Sequence, residues 1–159
     1  MKNYLFAPGP TPIPTETLLT MASPIDYHRT GESAELLGNV TAKLKYVFQT
    51  QNEVIILTSS GTGAMEATVT NLLSSEDRVT VIRSGKFGER WGEICAAYGI
   101  QFDPINIEWG KSVDPQQIED QLNRYPETKA VLATLCVTST GALHLSLIHI
   151  SEPTRRYAI

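Results

Sequence analysis

The chain alternates between two hydrophobic periods. From residue 32, Leu36, Leu37, Val40, Leu44, Val47 and Phe48 recur at three- and four-residue steps, with Glu35, Lys43 and Lys45 between them. That spacing predicts an amphipathic helix. The continuous apolar run at 54–57 predicts a buried strand, after which Ala64, Met65, Val69, Leu72 and Leu73 restore the helical step. A second run at 79–82 is followed by a helix through Trp91, Ile94 and Cys95 that ends near Tyr98. Residues 102–107 read as a third strand, Asp114-Pro115 as the start of another helix, and 131–135 as a fourth strand. Aspartate satisfies the free N–H groups at a helix start, and proline suits the first helical position. Strands alternating with helices mean βαβ units. Strands that are apolar throughout belong to a parallel sheet covered on both faces. The expected fold class is α/β, in three layers, around a mostly parallel sheet.

Before the first helix, Pro8, Pro10, Pro12 and Pro14 stand at alternate positions. Their fixed φ angles predict an extended N-terminal arm over residues 1–20, stiffest at 6–14, that cannot pair as a central strand. The 159 residues suffice for one domain, and a hydrophobic fraction of 42% is that of an ordinary globular protein. The net charge of -4 argues against nucleic acid or an anionic membrane as partner, since both reward a basic face. No apolar run approaches the roughly 20 residues of a membrane span, and Pro8 interrupts the N-terminus before a signal-peptide core can form. Cys95 and Cys136 lack a CxxC spacing, so neither a disulfide framework nor a zinc site is expected. The expected compartment is the reducing cytoplasm.

The last residues read differently. LSLIHISEPTR, at 145–155, is the translation of a nucleotide string that resembles a transposase-based sequencing-library adapter. Eleven consecutive matches make coincidence a poor explanation against the alternative, a genuine edge strand at 145–150. Residues 145–159 are therefore expected to be a non-native tail, with the natural protein continuing past His144. No role is assigned to His149, Glu152, Arg155 or Arg156.

The most informative stretch is 57–66, LTSSGTGAME, which leaves an apolar run, passes through small residues and enters a helix. Backbone N–H groups at a helix N-terminus form an anion site. Gly61 and Gly63 let the backbone approach a phosphate, and Ser60 and Thr62 can donate to it. The helix dipole alone adds only ~0.3–1 kcal/mol, so several donors must act together. Neither standard phosphate motif is present. The dinucleotide fingerprint needs glycine where Glu66 stands, and the P-loop needs a lysine after its second glycine. Read from chemistry alone, a phosphate site and a plain glycine-rich turn both remain open.

The stretch SSGTGAMEA is similar to the phosphate-cofactor loop of class V aminotransferases, the alanine–glyoxylate and serine–pyruvate group. The resemblance runs from Met1 to His144 through APGPTPIP, the His28-Arg29 pair, SGKFGERW and TSTGALH. It implies fold type I, with this chain as the N-terminal part of the large domain (residues 21–144) of a homodimeric enzyme. It implies pyridoxal 5'-phosphate as cofactor, and transamination between a small amino acid, alanine or serine, and a 2-oxo acid such as glyoxylate or pyruvate. By the same resemblance, Ser60, Gly61 and Thr62 match the residues that hold the cofactor phosphate. Phe87 matches the aromatic stacked on the pyridine ring, an arrangement worth ~0.5–1.5 kcal/mol beyond burial; its other reading is an ordinary core aromatic. Thr138 matches a hydroxyl residue beside the cofactor.

The family's Schiff-base lysine, pyridine aspartate and substrate-carboxylate arginine have no matching position here, so no catalytic residue is assigned. Lys86, as a turn residue, and Lys129, before a buried strand, are rejected as substitutes. Relatives carry a histidine and a glutamate where Leu135, Cys136 and Val137 stand, which puts a polar role for that segment in doubt; Cys136 reads as a packed strand residue. Two other functions remain in view: a class V lyase or desulfurase, and a non-enzymatic nucleotide-binding module.

Overall fold

The computed structural model describes residues 5–144. The tail at 145–159 and the first four residues lie outside them. The chain divides after Ile56 into two compact units.

In the first unit, α1 (Thr15–Met21) follows the proline-rich segment, so the helix begins inside the predicted arm. Next comes α2 (Gly31–Phe48). The Thr30 side chain accepts a hydrogen bond from the Ser33 amide at 3.2 Å, which explains why the helix starts there. None of its residues is buried, and Leu36, Leu37, Val47 and Phe48 are all exposed. The apolar stripe has the period of a helix without forming a core.

Residues 54–57 do not form the predicted strand. A strand exists only where a second chain segment completes its ladder. Among the described residues, nothing pairs with this run, and Ile55, Ile56 and Leu57 are exposed.

The second unit contains the sheet. Its elements are α3 (Gly61–Leu72), β1 (Arg78–Arg83), α4 (Lys86–Ala97), β2 (Gln101–Asn106), α5 (Pro115–Arg124), β3 (Thr128–Leu132), β4 (Cys136–Val137) and β5 (Ala142–Leu143). The strands run in the order β2-β1-β3, all parallel, with Val79 opposite Phe102 and Ala130, and Val81 opposite Pro104 and Leu132. β3 starts earlier than expected, at Thr128, and ends at Leu132.

This order decides the layers. The step from β1 to β2 goes one way along the sheet, and the step from β2 to β3 goes back past β1. Right-handed crossovers therefore place α4 and α5 on opposite faces. The side chains agree with this. Val79 and Val81 pack with Val69 of α3, with Trp91, Ile94 and Cys95 of α4, and with Leu132. Ile82 and Ile105 pack with Val113 and Ile118 on the α5 side. The predicted three layers are present, built on the pleat of β1.

β2 departs from the uniformly apolar pattern, because it carries Asp103 and Pro104. Among the described residues it is an edge strand, where a proline without an N–H is tolerated. Arg78 bonds Asp103 at 2.9 Å and Glu127 at 3.2 Å, and its guanidinium stacks over the Tyr125 ring. These contacts close the end of the sheet at which β1 begins.

α5 begins as predicted. The Asp114 side chain accepts from the Gln116 amide at 3.0 Å, and the Gln117 side chain accepts from the Asp114 amide at 3.3 Å. Asp114→Ala removes this capping box and is expected to cost about 1 kcal/mol, visible as a lowered urea midpoint. A midpoint unchanged within error would show that the cap contributes nothing.

Candidate functional site

The loop before α3 is held by short local bonds. The Ser59 amide donates to the Leu57 carbonyl at 2.8 Å, and the Gly63 amide to the Ser60 carbonyl at 3.0 Å. The helix then starts with no side-chain cap. The amides of Gly61 and Thr62 and the hydroxyls of Ser60 and Thr62 bond nothing among the described residues. A Cβ at Gly61 would meet open space. Several donors at a helix N-terminus with room before them suit a phosphate group. Gly63 has another reason to be glycine: a Cβ there would lie 1.9 Å from the Ser59 hydroxyl oxygen, so this glycine admits a side chain rather than a ligand.

The second part of the site lies where β1 and β3 end. These strands are neighbours, and the crossover that leaves β1 and the one that enters β3 cover opposite faces. In open α/β sheets, ligands bind at the carboxyl ends of such strands. Ser84 follows the last residue of β1, Gly85 leads into α4, and Phe87 sits on its first turn. After β3, the chain forms an antiparallel hairpin, β4 with β5. The amides of Thr140 and Gly141 both donate to the Val137 carbonyl, at 3.0 and 2.7 Å. Gly141 has φ 77°, a left-handed conformation that favours glycine.

The hairpin docks on the turn through three contacts. A Cβ at Gly85 would lie 2.5 Å from the Val137 Cγ1 atom, so only glycine lets them meet. The Lys86 amide donates to the Ser139 hydroxyl at 3.3 Å, which occupies one free N–H of α4. His144 is fully buried, with Nε2 2.7 Å from the Ser84 hydroxyl and Nδ1 accepting from the Val113 amide at 3.1 Å. Its own amide donates to the Leu135 carbonyl at 3.0 Å. Burial lowers the His144 pKa, which favours the neutral ring.

Phe87 is 43% exposed and so is not a core aromatic, and Thr138 is exposed at the hairpin turn. The structure therefore brings the Phe87 turn and the Thr138 turn together, through Gly85 with Val137 and Lys86 with Ser139. No hydrogen bond or ion pair among the described residues joins Ser60, Gly61 or Thr62 to either of them. The end of α4 does reach α3, where the Tyr98 hydroxyl donates to Glu66.

Cys136 lies in a strand but is exposed, contrary to the packed position expected of it; alternation buries Val137 instead. Lys86 is the first residue of α4 and pairs with Glu89 at 2.8 Å, which raises its pKa; Lys129, inside β3, pairs with Asp77 at 2.8 Å. Sequence reasoning missed Ser84, Ser139 and His144. A histidine closing the TSTGALH run was the available signal, but its partners lie 60 and 31 residues away in the chain.

A family model described as aminotransferase class-V matches residues 3–158. The chain is 46% identical over 145 residues to the "soluble hydrogenase, small subunit" of Synechococcus sp., covering 90% of this chain and 38% of that protein. It is 34% identical over 143 residues to the L-aspartate–glyoxylate aminotransferase of Paracoccus denitrificans, covering 88% of this chain and 36% of that protein. Among solved structures, the subgroup IV aspartate aminotransferase of Thermus thermophilus superposes with a TM-score of 0.82 at 34% identity, over 89% of this chain and 39% of that one. The chain thus spans well under half the length of these relatives. With the parallel three-layer sheet and the open N-terminus of α3, these matches show that the chain belongs to the class V aminotransferase family.

Proposed function

We propose that this chain is the cofactor-holding N-terminal part of an aminotransferase that exchanges an amino group between a small amino acid, alanine or serine, and a 2-oxo acid such as glyoxylate or pyruvate. Pyridoxal phosphate is the cofactor. In this reading Ser60, Gly61 and Thr62 hold its phosphate, Phe87 stacks on its ring, and Thr138 lies beside it. The observation that carries the reading is the first turn of α3, where the amides of Gly61 and Thr62 and the hydroxyls of Ser60 and Thr62 are open and uncapped. These donors suit a phosphate and include no metal-ligating histidine, cysteine or carboxylate.

When bound, pyridoxal phosphate supplies an electron sink for negative charge at the α-carbon of the amino acid. The chain's own residues bind and orient it. The lysine that acts as base belongs, in this reading, to the part of the relatives' length that this chain does not span. Glyoxylate as acceptor is supported by the name of the Paracoccus relative. A cytoplasmic homodimer is the assembly we assign to the complete protein.

Pyridoxamine 5'-phosphate tests the cradle, since it carries ring and phosphate but no aldehyde to react with surface lysines. Thr62→Val is expected to weaken its binding about 10-fold, the loss of one hydrogen bond to a charged group, while the urea midpoint stays put. Thr62→Ser should retain affinity. Equal affinity in Thr62→Val would count decisively against the phosphate assignment.

A further inference from the structure

An aromatic can grip a ring only if the turn that carries it is held still. Phe87 is too exposed for its own packing to fix that turn. The turn is held from outside, by the segment after β3, and His144 is where the holding bonds converge. A backbone N–H can only donate, so Nδ1, facing the Val113 amide at 3.1 Å, must be the acceptor. The ring proton is therefore on Nε2 and is donated to the Ser84 hydroxyl at 2.7 Å. Both ring nitrogens are committed, and both residues are 0% exposed. One imidazole ties together the end of β1, the loop before α5 and the end of the hairpin, which are distant in sequence. Leaving either partner unpaired in a fully buried place carries a larger penalty than losing a surface bond.

We propose that His144 is a positioning residue: by bonding Ser84 and Val113 in a single tautomer, it locks the hairpin against the 84–87 turn and so sets how Thr138 and Phe87 face the cofactor ring. This rests on the ring assignment made above, and it concerns the ring alone, since the phosphate cradle at α3 shares no bond with His144.

The test uses the full 159-residue chain with two probes, pyridoxamine 5'-phosphate and inorganic phosphate. Ser84→Ala and His144→Phe are each expected to lower pyridoxamine phosphate affinity roughly tenfold, with phosphate affinity unchanged. His144→Gln, whose amide nitrogen can reach the position of Nε2 but leaves the Val113 amide unpaired, should restore only part of the loss. Long-range proton–nitrogen spectra of the ring should show a protonated Nε2 and a bare Nδ1. The opposite tautomer, unchanged pyridoxamine phosphate affinity, or equal loss of both probes would each overturn the proposal. If the unaltered chain binds neither probe, the proposed function is what fails. The latch is then decided by amide exchange at Thr140, Gly141 and His144: faster exchange in Ser84→Ala sustains it, and unchanged exchange overturns it.

Discussion

Given excess pyridoxal phosphate, alanine and glyoxylate, the 159-residue chain is expected to form no pyruvate or glycine above the protein-free background. A positioned general base is worth about 10²–10⁴ in rate, and it must be unprotonated and within reach of the proton it takes. Among the described residues, the lysines and the histidine that could serve in this unit are each already engaged. Lys86 is close in sequence, but its ion pair with Glu89 favours the ammonium form and raises its pKa. Lys129 is held by Asp77. His144 is neutral, yet buried with both ring nitrogens bonded. Turnover that depends on the protein and disappears in Lys86→Ala or Lys129→Ala would show that a local lysine serves, and would refute the placement of the base outside this chain.

The next largest effect is structural and falls on Gly88. Three glycines would place a Cβ too close to a neighbour, but the nearest atom differs in kind. At Gly63 it is the Ser59 hydroxyl at 1.9 Å, the far end of a side chain that can rotate away. At Gly85 it is a Val137 methyl at 2.5 Å, which a shift of the hairpin can relieve. At Gly88 it is the Ile82 carbonyl oxygen at 2.6 Å, with the Arg83 Cα at 3.1 Å, both backbone of the central strand. Nothing there can turn aside, so α4 itself must lift. Overpacking typically costs about 1–3 kcal/mol, and rigid backbone belongs at the upper end. Alanine returns up to ~1 kcal/mol through helix propensity. The expected net loss for Gly88→Ala is roughly 2 kcal/mol, read as a lowered urea midpoint, against a small change for Gly63→Ala. Similar midpoints for the two variants would show that α4 is less tightly seated than its contacts indicate.

Local rules were enough for much of this protein. The Asp114-Pro115 start of α5 needs only its own residues, since cap and helix are a few positions apart. The apolar run in β1 and the three- and four-residue steps of α3 and α4 likewise carried their elements. The motif resemblance singled out Ser60, Gly61, Thr62, Phe87 and Thr138 as the candidate cofactor residues. What local rules could not supply was anything that depends on a distant partner. Residues 54–57 have the composition of a strand, but no neighbour completes a ladder for them among the described residues. The stripe of α2 has the right period and is not buried. β2 carries Asp103 and Pro104 because it lies at an edge, and order in a sheet is not written in any one strand.

The sequence by itself determined the helices α2 to α5, the three parallel strands, their order and the family, because periodicity, capping and motif spacing act over a few residues. Only the tertiary structure decided that Gly85 lies beneath Val137, that Ser139 receives the first amide of α4, and that His144 closes on Ser84 and Val113. Those contacts join residues tens of positions apart, and they form only once the reversal in strand order has brought the ends of β1 and β3 side by side.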